Sequence, residues 1–425
     1  MTSRNRSLRT LLRGAGGVAV ALAVMNVTTY GFNFLAVYLL GPREYGVTAS
    51  LMGVIGVANV LSLGLQATGA RHVAARPEQR TVIEAAVMRT TWRSAAGVAL
   101  LCLLLTPVFV HTLNLNGWHA AATVGLTMFP LTLMGGQAGI LQGEQRWFAL
   151  GMMYLAVGVP RFALAALAMW IWPTAFASMA AVAIAAWAPA LIGALALGHI
   201  GPRRTSSGPR SRVIEEGVRI LREIGHNSHA LFLFFALSTV DLLVARAVMD
   251  DHSAGLYAGG AIITKAVLFL PQFVVVVAFP SMAKSAGHRV YLLGLTLVGS
   301  MGAVAIAAAA LFPDLALVFA GGRQFREIIG LIPWFAVLGT VLAMLQLMVY
   351  QVVSRQFTAA LVALWAGLGA IVLLGSRAES PAQLVRIASL VDLTTLVVIV
   401  ALVAWHSSRD GVSEPRRASS DPSRR

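Results

Sequence analysis

The sequence predicts an all-α polytopic membrane protein with about twelve transmembrane helices in two pseudo-symmetric six-helix bundles around a central cleft. Of its 425 residues, 58% are hydrophobic and only 12% are charged, whereas soluble proteins carry about 25% charged residues. A spanning helix needs about 20 mostly apolar residues, and about a dozen such runs follow one another. The longest polar stretch, residues 201–227, divides these runs six and six.

The first span follows a basic segment, residues 1–14, which resembles the start of a secretory signal. The apolar run continues to Leu40, beyond the length of a signal h-region and without a clear small-residue cleavage site, so we expect an uncleaved first helix. The apolar windows predict these spans: 15–40, 46–69, 94–113, 120–142, 149–171 and 175–198 before the polar stretch, then 228–249, 254–283, 290–312, 328–350, 357–375 and 383–405.

The basic residues between the spans predict the orientation. With the N-terminus inside, the inner segments hold 24 Lys or Arg residues and the outer loops hold four. Cytoplasmic loops carry such an excess of cations, so we expect a multi-pass protein of the cell membrane with both termini cytoplasmic. The net charge of +15 therefore reflects topology, and we expect no nucleic-acid partner.

Two polar segments complete the predicted organisation. Residues 201–227 form a basic cytoplasmic linker, in which "RVIEEGVRILREI" could form an amphipathic helix on the anionic inner leaflet or serve only as a charged topology loop. The tail, residues 406–425, has the composition of a disordered segment. The single cysteine, Cys102, excludes an intrachain disulfide and a Cys-based metal site, and no motif predicts a cofactor.

An internal duplication supports the division into two halves. Aligning Tyr45 with Tyr257 pairs two apolar runs that both end at a basic cytoplasmic boundary. "LLLTP" (103–107) and "AALFP" (309–313) follow at a similar offset. Two halves that enter the membrane from the same side are related by an axis along its normal, and a binding site near the midplane is typical of such repeats.

Three stretches of the sequence carry a family resemblance: "YLLGPREYGVTASLMGVIGVANVLSLGLQATGARHVA", "DLLVARAVMDDHSAGLYAGGAI" and "VFAGGRQFREIIGLIPWFAVLG". They resemble the polysaccharide flippases of the multidrug/oligosaccharidyl-lipid/polysaccharide exporter superfamily. Their order and spacing resemble the family over about residues 10–405. The resemblance implies flipping or export of a polyprenyl-diphosphate-linked oligosaccharide, a precursor of a surface polysaccharide. Membrane lipids, a polysaccharide polymerase and a glycosyltransferase are the candidate partners that it implies.

Four charged residues lie near the middle of predicted spans, where a charge costs at least about 2.5–3.5 kcal/mol. They are Arg161, Asp241, Lys265 and Asp392. At 1.5 Å per residue all four lie about 13–17 Å from the outer face, so we expect them to face a common hydrated interior. The cations could bind a diphosphate, and the carboxylates could weaken its retention or exchange protons or cations. Two buried ion pairs that only fasten helices are the alternative.

Secondary candidates lie nearby. Arg246 and Arg386 are close to the outer interface, where snorkelling explains them best. Asn33 and Asn59 could line the cleft, as could Asn26, Gln137, Gln142 and Gln346, although hydrogen bonds between helices explain them equally well.

Two other functions compete with a flippase. Drug/cation antiporters of the same superfamily resemble one another in carrying an acidic residue in the first helix, where this chain has only Asn26 and Asn33. Asp241 keeps a cation-coupled antiporter as the alternative. A membrane glycosyltransferase or polymer ligase would need acid/base or metal-binding residues, usually in a substantial loop, and the predicted outer loops are short. We therefore expect a transporter and not an enzyme.

Overall fold

The structure, a computed structural model, describes residues 3–198, 210–282, 288–355 and 358–410. Within these ranges every regular element is a helix, as the apolar composition predicts. The N-terminal half holds α1 (Ser3–Ala58), α2 (Val60–Ala75), α3 (Arg80–Leu104), α4 (Thr106–Thr112), α5 (Trp118–Gly143), α6 (Trp147–Ile171), α7 (Ala175–Ala185) and α8 (Trp187–Leu197).

A linker helix, α9 (Arg210–Asn227), precedes the C-terminal half. That half holds α10 (His229–Val248), α11 (Asp251–Met282), α12 (His288–Leu311), α13 (Pro313–Phe319), a 3-10 segment (Gly322–Leu331), α14 (Ile332–Arg355), α15 (Thr358–Gly375) and α16 (Pro381–Asp410). The tail that we predicted to be disordered from residue 406 is therefore helical up to Asp410, and residues 411–425 lie outside the described part of the chain.

Helix α1 contains two antiparallel arms, residues 3–40 and 42–58, which meet at Gly41. Gly41 has φ 67° and ψ 176° and is followed by Pro42, a backbone conformation that glycine adopts without strain. The guanidinium of Arg161 contacts both Phe32 in the first arm and Met52 in the second. Only a hairpin brings residues so far on either side of Gly41 to one point, because a straight helix would hold them about 30 Å apart.

The described helices are consistent with twelve spans. Eight of them are long and apolar enough to cross a membrane, and nine if α3 and α4 count as one broken span. The stretch Gly16–Ala75 counts only once among these, although it folds into a hairpin and crosses twice. Helix α11, with 32 residues, and the shorter apolar helix Ala359–Gly375 complete the number that hydropathy predicts.

The third span begins earlier than predicted. The window that started at residue 94 is wrong at this end, because α3 is helical from Arg80 and already packs against α5 before residue 94. A Cβ atom on Gly136 of α5 would lie 2.0 Å from the Thr91 hydroxyl. Hydropathy misses the part of α3 before residue 94. It counts Arg80 and Glu84 as separate charges, whereas in the structure Arg80, Glu84 and Glu144 neutralise one another at the start of the helix.

The two halves form separate bundles that meet along α1, α10 and α11. Helices α1 to α8 pack mainly on one another, as do α10 to α16. Between the halves, the second arm of α1 crosses the start of α11, where Gly46 and Gly255 face each other. A Cβ on Gly255 would lie 2.0 Å from the Pro42 carbonyl oxygen. The crossing joins the two segments that the alignment of Tyr45 with Tyr257 treats as equivalent, and both tyrosines are buried.

We name the two ends of the bundle inner and outer, as the positive-inside count assigns them. The Gly46–Gly255 crossing then lies at the outer end. Two polar contacts join the halves there. The Tyr38 hydroxyl donates to the Val318 carbonyl at 2.6 Å, and the Arg43 guanidinium lies 2.8 Å from the Asp251 carboxylate. The outer ends of the two halves are therefore closed against each other.

Adding one methyl group at the Gly46–Gly255 crossing should open the outer end. In Gly255→Ala the new Cβ collides with backbone, which cannot rotate away as a side chain can. We expect spin labels on the two outer ends to move apart and the melting temperature to fall. The control is Gly56→Ala in the second arm of α1, where a Cβ meets no atom within 4 Å. That change should leave the distance unchanged and favour the helix slightly. Equal distances in the two variants would contradict the close crossing.

The linker helix α9 packs on the inner ends of α2 and α3. Its buried residues Ile220 and Ile224 join a core cluster with Leu65 and Val87. Glu216 and Glu223 lie 2.9 and 2.6 Å from the two ring nitrogens of the buried His72. Burial would raise the pKa of Glu216, but hydrogen bonds from Arg76 and His72 outweigh it and lower that pKa. The linker is thus fixed to the N-terminal half by both apolar and ionic contacts.

Candidate functional site

Four helices bring the charged residues of the predicted midplane together. Arg161 belongs to α6 of the N-terminal half, whereas Asp241, Lys265 and Asp392 belong to α10, α11 and α16 of the other half. Lys265 is close enough to both Asp241 and Arg161 for direct electrostatic interaction, and Asp241 interacts in the same way with Asp392. We call these four residues the central charge cluster. It spans the junction between the two halves.

Arg161 is held by apolar neighbours and has no acidic partner within 4.0 Å among the described residues. Its guanidinium carbon lies 4.5 Å from the centroid of the Phe32 ring, a cation–π contact. One terminal nitrogen lies 3.7 Å from the sulfur of Met52. Its Nε is buried without a hydrogen-bond partner in the described structure. Such an uncompensated cation is costly in a membrane, so the site favours an anion that can complete the shell.

Lys265 interacts electrostatically with both Arg161 and Asp241. No described residue forms an ion pair with Lys265 or Arg161 within 4.0 Å. The two tight ion pairs that would merely fasten helices are therefore not formed in the described part of the chain. Two like charges held near each other favour a multiply charged anion, because a diphosphate can bind both at once.

The two carboxylates have different surroundings. Asp241 is buried and accepts a hydrogen bond of 2.7 Å from the hydroxyl of Tyr257 on the next helix. Asp392 is 1% exposed, and its Oδ1 has no hydrogen-bond partner among the described residues. A buried carboxylate oxygen without a partner is expensive, and a proton, a cation or a water molecule would relieve the cost. Asp392 is thus chemically suited to exchange one of them.

Sequence reasoning missed three residues of this site. Tyr257 served only as an alignment anchor, yet it orients Asp241 and packs edge-on against Phe335. Phe32 and Met52 look like ordinary apolar positions, yet they form the pocket of Arg161. No local pattern signals these roles, because Tyr257 reaches Asp241 from the next helix, and Phe32 and Met52 reach Arg161 from a helix that is distant in sequence.

Of the secondary candidates, Arg246 behaves differently from the expectation of snorkelling. It is 1% exposed and donates to the Leu113 carbonyl at 2.8 Å and to the Asn114 carbonyl at 3.0 Å. Its third partner is the Asp251 carboxylate, also at 2.8 Å. The snorkelling interpretation of Arg246 is therefore wrong, since this residue joins the α4–α5 loop of one half to the other half at the outer end.

The other three secondary candidates lie apart from the charged contacts. Arg386 is exposed and lies 5.7 Å from the centroid of the Trp334 ring, which suits an interfacial position. The Asn33 amide donates to the Thr29 carbonyl of its own helix at 3.0 Å. Asn59 marks the break between α1 and α2. None of the described contacts joins these residues to the central charge cluster.

Comparisons of sequence and of structure give different results. No family model matches this chain, and no curated protein matches its sequence. Its structure is similar to an inward-facing multidrug resistance MATE family transporter of the MOP superfamily, with a TM-score of 0.68 and 13% identity over 94% of this chain and 100% of that one. The outward-facing conformation of such a transporter matches with a TM-score of 0.59 and 14% identity over 94% and 98% of the two chains.

A third similar structure is a MOP superfamily transporter from Pyrococcus furiosus Vc1, for which a binding pocket of reverse polarity is described as suggesting a different function. Its TM-score is 0.57, with 12% identity over 94% of this chain and 95% of that one. At sequence identities this low, the structural similarity supports a conclusion about the fold alone. The chain therefore has the all-helical, two-bundle fold of MOP superfamily transporters.

Proposed function

We propose that this protein is an alternating-access transporter that flips or exports a polyprenyl-diphosphate-linked oligosaccharide across the cytoplasmic membrane. The observation that carries the proposal is the pair Arg161 and Lys265, one from each half, without an acidic partner within 4.0 Å among the described residues. A diphosphate headgroup carries the negative charge that would neutralise these two cations. The rest of the argument concerns how the site can bind and release it.

Binding uses both cations. The planar guanidinium of Arg161 can hold two phosphate oxygens at once, and the ammonium of Lys265 acts as a point charge on the neighbouring phosphate. Because the two residues belong to different halves, the bound anion draws the halves together at the midplane. Separation of the halves then separates the two cations and weakens the grip on the headgroup. This is the differential affinity that a conformational change requires.

Release uses the carboxylates. Asp241 lies next to Lys265 and competes with the phosphate for that charge. Asp392 adds a second negative charge near Asp241. When both are ionised, the net charge of the cluster falls to zero and the anion leaves more easily. A proton or cation bound to Asp392 makes the net charge of the cluster positive again and so favours retention of the anion. Substrate binding would thereby be coupled to an ion gradient.

A cation-coupled drug antiporter is the alternative that the comparisons favour. Two of the similar structures come from transporters described as multidrug resistance MATE proteins. In such a function Asp241 and Asp392 would bind the cationic drug or its counter-ion, and Arg161 would have no ligand. For the transporter from Pyrococcus furiosus, a binding pocket of reverse polarity is described as suggesting a different function. We rank the anionic substrate first because Arg161 and Lys265 have no acidic partner within 4.0 Å among the described residues.

Reconstituted protein decides between the two substrates. In proteoliposomes we expect the protein to expose a fluorescent polyprenyl-diphosphate oligosaccharide to an impermeant quencher faster than empty vesicles do. We expect no uptake of a cationic dye such as ethidium under a proton or sodium gradient. Repeating the flipping assay with each gradient shows which ion, if any, is coupled. Dye transport without lipid flipping would overturn the proposal in favour of the antiporter.

A further inference from the structure

The linker helix α9 has a second apolar face besides the one that it buries. Ile214, Val218 and Leu221 are 44%, 53% and 50% exposed. Their spacing of four and three residues places them on one side of the helix. Ile220 and Ile224, which contact α2 and α3, lie on an adjacent side and are almost fully buried. The first face has no partner among the described residues, which is unusual for a stripe of large aliphatic side chains.

Contacts with the bundle place α9 at the level of the inner membrane boundary. A Cβ on Gly217 would lie 2.9 Å from the Thr90 hydroxyl of α3, and one on Gly64 of α2 would lie 2.9 Å from Ile224. The next residue of α3, Thr91, faces Gly136 of α5. Helix α5 continues to Gly143, about 10 Å further at 1.5 Å per residue. Helix α9 thus packs against the sides of the spans and does not lie in the cytoplasm beyond their inner ends.

An arginine borders the exposed stripe. Arg222 follows Val218 by one turn, whereas Arg219 lies further round the helix, where one of its terminal nitrogens is 3.3 Å from the Glu216 carboxylate. Both arginines are exposed. Glu216 and Glu223 point the other way, towards His72 and Arg76, so Glu215 is the single described acid of α9 on the exposed side. A helix with aliphatic residues on one face and arginines beside them is typical of helices that lie in the headgroup region of anionic bilayers.

We propose that α9 binds the cytoplasmic leaflet, with Ile214, Val218 and Leu221 inserted among the acyl chains and Arg222 against anionic lipid headgroups. This contact would hold the chain segment between the two halves at the membrane surface. The N-terminal half would then carry the anchored linker, and the C-terminal half would move relative to it. The inference is independent of the substrate that the central charge cluster binds.

The single cysteine makes a direct test possible. In a Cys102→Ala background we would place one cysteine at Val218 and, separately, at Glu215 as the matched control on the adjacent face. Each is labelled with the environment-sensitive dye NBD, and the protein is reconstituted in nanodiscs. We expect lipids brominated along the acyl chain to quench the label at position 218 strongly and the label at position 215 weakly. Detergent micelles serve as the reference for both labels.

The lipid charge is varied in the same samples. With phosphatidylglycerol in place of phosphatidylcholine, we expect a blue shift of the label at position 218 that Arg222→Gln reduces. Equal quenching at both positions would overturn the proposal. If neither label is quenched and the label at position 218 is blue-shifted even in detergent, another protein segment or a second copy covers the stripe. That result would also overturn the proposal. Normal flipping in these variants leaves the proposed function intact, so the two proposals fail separately.

Discussion

Reversing the charge of Arg161 or Lys265 should abolish flipping of the lipid-linked oligosaccharide. Arg161→Glu and Lys265→Glu each place a third carboxylate in the central charge cluster, next to Asp241 and Asp392, and so repel a diphosphate. The neutral change Arg161→Gln should weaken substrate binding about 10- to 100-fold, because a hydrogen bond to a charged group contributes about 1.5–3 kcal/mol. The measurement is the flipping rate in proteoliposomes, together with accumulation of inward-facing lipid-linked sugar in cells.

Controls separate binding from folding in this series. Arg386→Glu reverses an exposed charge that lies over Trp334, outside the cluster, and should flip substrate at the normal rate. Arg161→Lys keeps the charge but loses the planar fork, so it should retain partial activity. Protein levels and melting temperatures must match the wild type. Normal flipping by either charge-reversed variant, at normal protein levels, would remove that residue from the mechanism.

Replacing Arg246 should open the outer end and trap the transporter in a poorly cycling state. Arg246→Met removes the donors for the buried Leu113 carbonyl and for the Asn114 carbonyl, and it leaves Arg43 as the one cation paired with Asp251 among the described residues. An unsatisfied buried acceptor costs about 1–3 kcal/mol, and this cost falls on the outward-closed state alone. We expect a larger distance between spin labels on the α4–α5 loop and on the start of α11, and slower flipping.

The prediction for Arg246 has a matched control substitution. Arg377 is an exposed arginine of a predicted outer loop, and Arg377→Met should alter neither the distance nor the rate. Arg246→Lys keeps one donor and the charge, so it should restore part of the closed population. An unchanged label distance in Arg246→Met, with substrate-bound and substrate-free samples alike, would show that these hydrogen bonds do not hold the outer end closed.

The spans were predictable because each depends on a local property of the chain. A bilayer core about 30 Å thick requires about 20 apolar residues, and this requirement can be read from any window of sequence. The rule fails at the start of α3 because Arg80 and Glu84 neutralise each other only in the folded helix, with Glu144 of α5 as a third partner. Hydropathy scores each of these residues as though it stood alone in lipid.

The sequence also predicts a common depth for the charged residues, since the rise per residue converts position along a helix into height in the membrane. It does not predict their partners. The central charge cluster joins α6 to helices whose charged residues lie about 80 to 230 positions further along the chain. Helix periodicity of 3.6 residues per turn relates only residues of the same helix, so it cannot predict these contacts. Arg246 shows the same limit, because its distance from the outer face suggested snorkelling while its actual acceptors lie in the α4–α5 loop.

The sequence by itself determined the helical membrane class, and it predicts the division into two halves and a common height for the buried charges, because all three follow from local hydropathy and helix geometry. Only the tertiary structure decided that Arg161 and Lys265 are close enough to interact electrostatically, that Tyr257 orients Asp241, and that Gly46 meets Gly255. Those contacts depend on how one bundle is rotated against the other, and side-chain packing between distant helices sets that rotation.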